Sequence, residues 1–490
     1  MLWLLVVLGL HGCTVLGPDY QAREPAAPER WSDWHAGPLD TASLPLETDT
    51  PPAQWWTRFD DPVLDQLQAR LHNSLELQDA LLNFTRARLQ RQLVAGEQGP
   101  QIDASAGIGR QALSEHGAQV RMATIAAPSP AGREALIEAL ARPYDLYQAG
   151  FDARWEPDLW GRIRRSIEAA DAGTRGAAAL LEQTRLTLAA ELARQYFELR
   201  AVQRQAALLA QEIRAGEAQL ALSQAQVEAG LDSELQLETR RGERAARRAA
   251  LAALQARETG LRNAIARLLG ERPGALAAAL DAPESVGETD AAVAAALPLG
   301  LPSTLARRRP DIRAAEARLQ AATADIGVAT ADLYPRVTLS AGLGIESFDE
   351  GKIGDWASRQ WHIGPGFYLP IFNQGRLRTR VELTQVAQQR AAIAYRQTVL
   401  NAWQEIDNAL SAWRAQLSGH TQLQQQLASA RRQQQLIAAS ETAGLADQRA
   451  TLDARIRVLQ LQRQLADSSA RLNINRVALY KAVGGGVPLP

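Results

Sequence analysis

The chain has 490 residues with balanced charge, 53 Lys and Arg against 54 Asp and Glu. That balance offers no basic footprint for nucleic acid and no acidic tail, and a single cysteine, Cys13, excludes an intrachain disulfide framework or a thiolate metal cluster. Aromatics are only 5% of residues while Ala, Leu, Gln and Arg crowd long stretches, a bias that points to long packed helices.

Met1–Leu10 is the one strongly apolar run. It is too short to span a bilayer as a helix, and residues 1–12 read as a signal peptide. Leu10-His11-Gly12-Cys13 follows and resembles the lipobox of bacterial lipoproteins, in which the cysteine becomes the acylated N-terminus. His11 stands where a small residue is usual, and no Lys or Arg precedes the apolar run, so a start upstream of Met1 is expected. Residues 13–61 contain Pro and Trp, lack helical periodicity, and are expected to form a lipid-anchored tether.

A first structural repeat is expected over 62–270, opening with a helical segment at 62–97. Ile102, Ala104, Ala106 and Ile108 alternate with Asp103, Ser105, Gly107 and Gly109, which predicts a strand at about 101–110. Tyr147, Ala149, Phe151, Ala153 and Trp155 alternate in the same way and predict a strand at about 147–155. The turn-rich stretch 111–146 between them reads as an extracellular loop. Pro157 and Gly161 then mark a sharp passage from strand to helix. Leu188, Leu192, Tyr196, Leu199, Val202, Leu209 and Ile213 recur at helical spacing within a helix expected at 162–229. About 67 residues without proline correspond to roughly 100 Å of helix, more than a compact domain accommodates. Gly230 ends it, a helix at 231–269 follows, and a connector rich in Pro, Gly and Ala occupies 271–303, expected as a belt midway along the helices.

The second repeat, 304–484, is written on the same plan. It has a helix at 304–333, strands at about 336–346 and 361–369 flanking a shorter loop, a junction at Pro370 and Gly375, and helices at 376–443 and 445–483 that meet at Gly444. Residues 485–490 form a tail. Val399, Trp403, Ile406, Leu410, Trp413 and Leu417 step by fours and threes, the seam of a coiled-coil-like helix. The repeat itself shows in three pairs at one offset: Gly161-Arg162-Ile163-Arg164 with Gly375-Arg376-Leu377-Arg378, Ala229-Gly230-Leu231 with Ala443-Gly444-Leu445, and Leu269-Gly270 with Val483-Gly484.

Strands of this length, with one apolar face and one of polar residues or glycine, carry the signature of a transmembrane barrel. Four strands cannot close a barrel, and an open edge is not tolerated in lipid. The fold class that follows is mainly α with a transmembrane β part. Duplicated helical hairpins would form a tunnel (an α-barrel), and four strands per chain would complete a trimeric twelve-stranded β-barrel.

This layout, with several motifs, resembles the TolC-like outer-membrane factors, in their lipoprotein (NodT-type) branch paired with resistance-nodulation-division pumps. The motifs are Cys13-Thr14 with Gly17-Pro18-Asp19-Tyr20; Trp55-Trp56 with Phe59 and Asp61-Pro62-Val63-Leu64-Asp65; Trp155-Glu156-Pro157-Asp158-Leu159-Trp160-Gly161-Arg162; and Leu301-Pro302-Ser303 followed by Arg308-Arg309-Pro310-Asp311-Ile312. The resemblance implies a passive conduit in the outer membrane of a Gram-negative bacterium, with its helical tunnel in the periplasm. A homotrimer would work with a periplasmic adaptor protein and an inner-membrane resistance-nodulation-division transporter, and would export drugs or toxic organics. Its periplasmic tip would be closed by helix ends carrying aspartates beyond the turn glycine. Asp453 stands at one such position, and Asp447 lies between Ala446 and Ala450, which occupy two others. Arg449 and Arg455 are the expected basic neighbours of the acidic ring, and Leu445 and Leu452 a candidate apolar constriction at the same tip.

Enzymatic motifs are missing. The six histidines are dispersed, and there is no His-Glu-x-x-His, no phosphate-cradling glycine loop and no nucleophile elbow. No catalytic, metal or cofactor site is therefore expected, and no nucleic-acid partner. An adaptor protein would share lipidation and helical hairpins but lack the four strands. A duct for type I protein secretion would share the fold, yet the lipobox and the Arg-Arg-Pro-Asp-Ile segment favour efflux.

Overall fold

A computed structural model describes residues 14–22, 46–47, 49, 51–125, 127, 129–281, 297–300, 304 and 308–486. Cys13, Leu301-Pro302-Ser303 and Arg307 lie outside the described residues. The longer helices and strands run, in order, α1 (Pro62–Ala69), α2 (Leu75–Ala95), β1 (Gln101–Gln111), α3 (Ala118–Thr124), α4 (Pro130–Ala141), β2 (Tyr144–Trp155), α5 (Arg162–Glu228), α6 (Glu234–Leu268), α7 (Pro310–Ala331), β3 (Arg336–Ser347), β4 (Arg359–Tyr368), α8 (Arg376–Thr442) and α9 (Gln448–Ala482). The chain divides into two units. One holds Met1–Gln21, Ala87–Gly173 and Leu319–Arg390, the other Ala22–Arg86, Thr174–Arg318 and Ala391–Pro490.

The first unit contains a four-stranded antiparallel sheet in the order β1-β2-β3-β4. Its register puts Ala104, Phe151, Leu343 and Trp361 in one row of one face, and Asp103, Asp152, Gly342 and His362 in one row of the other. On the polar face a Cβ at Gly150 would lie 3.0 Å from the Gly344 Cα, and one at Gly344 2.9 Å from the Ala149 carbonyl oxygen. Side chains there would collide, so the glycines let the sheet close in on its polar side. Gln148 donates to Glu346 across β2 and β3 on that face at 2.7 Å. Phe151, Leu343, Trp361, Ile363 and Phe367 on the apolar face are exposed in the single chain. No described helix is long and apolar enough to cross a membrane.

The 111–146 connection is not irregular throughout. It carries α3 and α4, the second opened by Ser129, whose hydroxyl accepts from the Gly132 amide at 3.2 Å, with Pro130 in the first turn. Likewise 62–97 is not one helix. A 3-10 turn, Arg70–Asn73, and Ser74 with extended ψ separate α1 from α2.

The core sits in the second unit, where the helical stripe meets its partners. Leu188, Leu192, Tyr196 and Leu199 of α5 join Ile406, Leu410 and Trp413 of α8 and Leu472, Leu479 and Tyr480 of α9, all buried. Residues 55–59, expected as part of the tether, belong to this core: Trp55 is 1% exposed and stacks on Tyr480 with ring centroids 5.4 Å apart. Asp61 caps α1, accepting from the Val63 and Leu64 amides, and its second oxygen accepts from the Tyr196 hydroxyl at 2.6 Å. Burial and that carboxylate push the Tyr196 hydroxyl up from its ordinary pKa. Leu276, Leu280 and Leu299 of the connector enter the same cluster.

Truncating a fully buried aromatic removes its transfer energy and leaves a cavity. Trp55→Ala should destabilise the chain by about 3–5 kcal/mol, seen as a lowered midpoint for thermal loss of the helical circular-dichroism signal. Leu445→Ala, at a side chain 84% exposed, should leave that midpoint unchanged.

Candidate gate and strand-to-helix junctions

Two helical hairpins end in matching turns. After α5, the Leu231 amide donates to the Gln226 carbonyl and the Gly230 amide to Val227. After α8, Leu445 donates to Ser440 and Gly444 to Glu441. This paired closure satisfies the last carbonyls of each helix and needs a left-handed residue, which Gly230 (φ 71°) and Gly444 (φ 74°) supply. Leu231 and Leu445 then project into solvent, 80% and 84% exposed. Each return helix is capped at an equivalent position. The Ser233 hydroxyl accepts from the Gln236 amide at 3.4 Å to start α6, and the Asp447 carboxylate accepts from the Ala450 amide at 2.9 Å to start α9. Asp447 therefore has a local duty at its own helix end.

Asp453 is placed differently. Its Oδ1 accepts from Gln219 Nε2 of α5 at 2.5 Å and faces Arg240 of α6 at 3.7 Å. Arg449, expected beside it, reaches instead to the other hairpin, donating to Asp232 Oδ2 at 2.8 Å and to the Gln226 side chain. Asp232 also accepts from the Ser233 amide at 2.8 Å, and its carboxylate is only 12% exposed. Arg455 is exposed and Leu452 half-buried. The two hairpins are thus joined within one chain by two polar links, Arg449–Asp232 at the turn and Asp453–Gln219/Arg240 higher up. Asp232, Gln219 and Arg240 were not singled out from sequence: Gln219 and Arg240 are polar positions on helices read by their apolar residues, and Asp232 lies in the turn between them.

The junctions differ from each other. Gly161 has φ 79°, and a Cβ there would sit 2.7 Å from Val15. Asp158, just after Pro157, accepts from the Ile163 and Arg164 amides at 3.1 and 2.8 Å and so starts α5. The peptide after residue 13 is laid across this start: the Leu16 amide donates to the Trp160 carbonyl, and Arg165, buried, donates to the Leu16 and Gly17 carbonyls and to Asp19 at 2.6 Å. Gly375 has φ 82° with open space around it, preceded by Pro370 and the exposed Ile371 and Phe372.

A sheet with one apolar and one polar face and, among the described residues, both edges unpaired, joined to helices of 67 residues with closed hairpin turns, defines a membrane-channel subunit. The outer membrane efflux protein family model matches residues 67–271 and 301–485, and the chain belongs to that family. It is 28% identical to the cation efflux system protein CusC of Escherichia coli O6:H1 over 98% of this chain and 97% of that one. It is 29% identical to the antibiotic efflux pump outer membrane protein ArpC of Pseudomonas putida, over 97% and 93%. Among solved structures, the outer-membrane channel OprN superposes with a TM-score of 0.82 at 32% identity, covering 96% of this chain and 99% of that one. The protein is an outer-membrane efflux channel of this family, with the fold of a helical tunnel joined to a β-barrel to which each chain gives four strands.

Asp447 and Asp453 are separable by experiment. Asp447→Ala removes a cap worth about 1 kcal/mol and should speed amide exchange in the first turn of α9. Asp453→Ala should leave that turn protected and speed exchange where α5 carries Gln219.

Proposed function

We propose that the chain assembles as a homotrimer and forms the exit duct of a tripartite pump, completed by a periplasmic adaptor and a resistance-nodulation-division transporter. The observation that carries this reading is the sheet: β1 and β4 are paired on one side only. In hydrocarbon each unsatisfied backbone group costs several kcal/mol, so neighbouring chains must supply the missing partners, and three copies of four strands reach twelve. The polar face, narrowed by Gly150, Gly342 and Gly344, then lines the lumen, while Trp361, Ile363 and Phe367 face lipid.

Among the described residues no group of His, Cys, Asp or Glu could hold a metal ion. The named relatives divide between cations and antibiotics, and drug-like or toxic organic solutes are the cargo we assign here. Acylation of Cys13 would add an anchor beside the barrel. One lipid group contributes modest affinity compared with a closed barrel.

The hairpin turns at Gly230 and Gly444 form the periplasmic gate in this reading, with Leu445 and Leu452 as the apolar lining. Arg449–Asp232 holds the second hairpin against the first, and Asp453 adds a weaker tie through Gln219. Arg449→Ala together with Asp453→Ala should therefore raise single-channel conductance in planar bilayers severalfold while the trimer survives on gels. Wild-type conductance in a trimeric double variant would remove both residues from the gate. For the anchor, Cys13→Ser should abolish palmitate labelling and leave the trimer in the outer membrane. Undiminished labelling would place the acyl group elsewhere.

A further inference from the structure

The face that α5 turns toward α9 carries polar side chains at every seventh position, and each meets a polar partner. Gln205 donates to Asp467 at 3.3 Å, Glu212 pairs with Arg463 at 3.3 Å, Gln219 donates to Asp453 at 2.5 Å, and Gln226 accepts from Arg449. The apolar cluster that joins α5 to α9 ends above this ladder, at Leu199 and Leu472. Below it α9 adheres to α8 instead, through Leu427, Ala430, Val458 and Leu461. An open cleft of about 660 Å³ between α5, α8 and α9 lies beside the Gln205–Asp467 step. Polar residues in a heptad seam cost stability and fix register, so this seam is specified by matching groups more than by adhesion.

One step differs from the rest. The Glu212 side chain is 2% exposed, whereas Asp453 is 52% exposed. It stands sixteen residues before the end of α5 at Glu228, roughly 24 Å up the helix at about 1.5 Å per residue. The charged groups facing it are Arg463 of α9, itself half-solvated, and Arg247 of α6, which lies over Gly216 and is also bound to Glu243 at 3.2 Å. Asp467 is at the next step above, and Asp453 with Arg240 at the next below. Both arginines have alternatives, in water or in Glu243, while the carboxylate has none as long as the seam is shut.

We propose that Glu212 is a pH-sensitive positioning residue of the channel, set above the hairpin gate, that favours the closed α5–α9 seam in acid and eases its parting at neutral pH. The sign follows from solvation. Burial raises the Glu212 carboxyl above its usual 4.5, outweighing the pull of Arg463 and Arg247. Parting the seam admits water and returns the group toward that usual value. The closed state therefore binds the proton more tightly. Its advantage is full below the usual value and is lost as pH rises through the raised one.

This inference rests on the hairpin ends being the closing region, and the test separates the two. Open fraction would be measured in planar bilayers for the full chain, for Glu212→Gln, for Arg449→Ala and for the double variant, from neutrality down to the usual glutamate value. Melting temperatures would be taken over the same range. Arg449→Ala should close as pH falls, by up to about tenfold for each pKa unit separating the two states. Glu212→Gln in that background should stay at the acid level throughout. Without membrane current, Glu212→Gln should melt above the wild type at neutral pH, and the gap should vanish in acid. A channel that stays shut in Arg449→Ala, with the pH-dependent melting gap of Glu212→Gln still present, would sink the gate reading and leave Glu212 standing. An unchanged pH profile in Glu212→Gln, or a melting gap independent of pH, would overturn the Glu212 proposal.

Discussion

A backbone amide or carbonyl without a partner is tolerable in water and prohibitive in hydrocarbon. Much of this molecule follows from where it leaves such groups open. Its sheet satisfies three internal interfaces and leaves two edges, one on β1 and one on β4. The chain is thus an incomplete object on its own. The apolar row Ala104, Phe151, Leu343 and Trp361 exposes large side chains that a single soluble protein would bury. Both defects have the same remedy, further copies in a membrane.

At the opposite extreme the helix ends are closed with care. Four turns of one design recur, at Gly230, Gly270, Gly444 and Gly484, each with the glycine amide reaching back three residues and the next amide five. Duplication explains the recurrence. What it does not preserve is the chemistry between the hairpins. Arg449 has Leu235 as its counterpart in the first repeat, and Asp453 has Thr239, so the second hairpin's share of the polar ties is not repeated in the first. The two halves share a backbone plan and divide the electrostatics between them.

Much of this was legible in the sequence. Alternation at Ile102–Ile108 and Val337–Ile345 exposed the strands because lipid on one side and lumen on the other impose a strict period of two. The glycine pairs revealed the turns because a left-handed backbone leaves few other residues available. The ties at the hairpins were harder. Arg449 and Arg455 were natural partners for Asp453 by proximity along α9, yet Arg449 spans to Asp232, a largely shielded carboxylate in the turn of the first hairpin. Nor did the apolar count expose Trp55 as core, because residues 55–59 form too short a turn for any periodicity. The seven-residue α3 was hidden for the same reason, and α4 because none of its 12 residues is buried, so no apolar face marks it.

The peptide that follows residue 13 is pinned at Leu16, whose amide and carbonyl are both held, to Trp160 and to Arg165. Only Thr14 and Val15 separate that fixed point from Cys13, three residue steps that span at most about 10 Å of extended chain. An acyl group at Cys13 would then act less as a loose leash than as a depth gauge. Its reach is referred to Trp160 and Gly161, where β2 gives way to α5, so the lipid headgroups would meet the protein at a height set by the fold itself. Lengthening this peptide by a few residues would keep the anchor and lose the measurement.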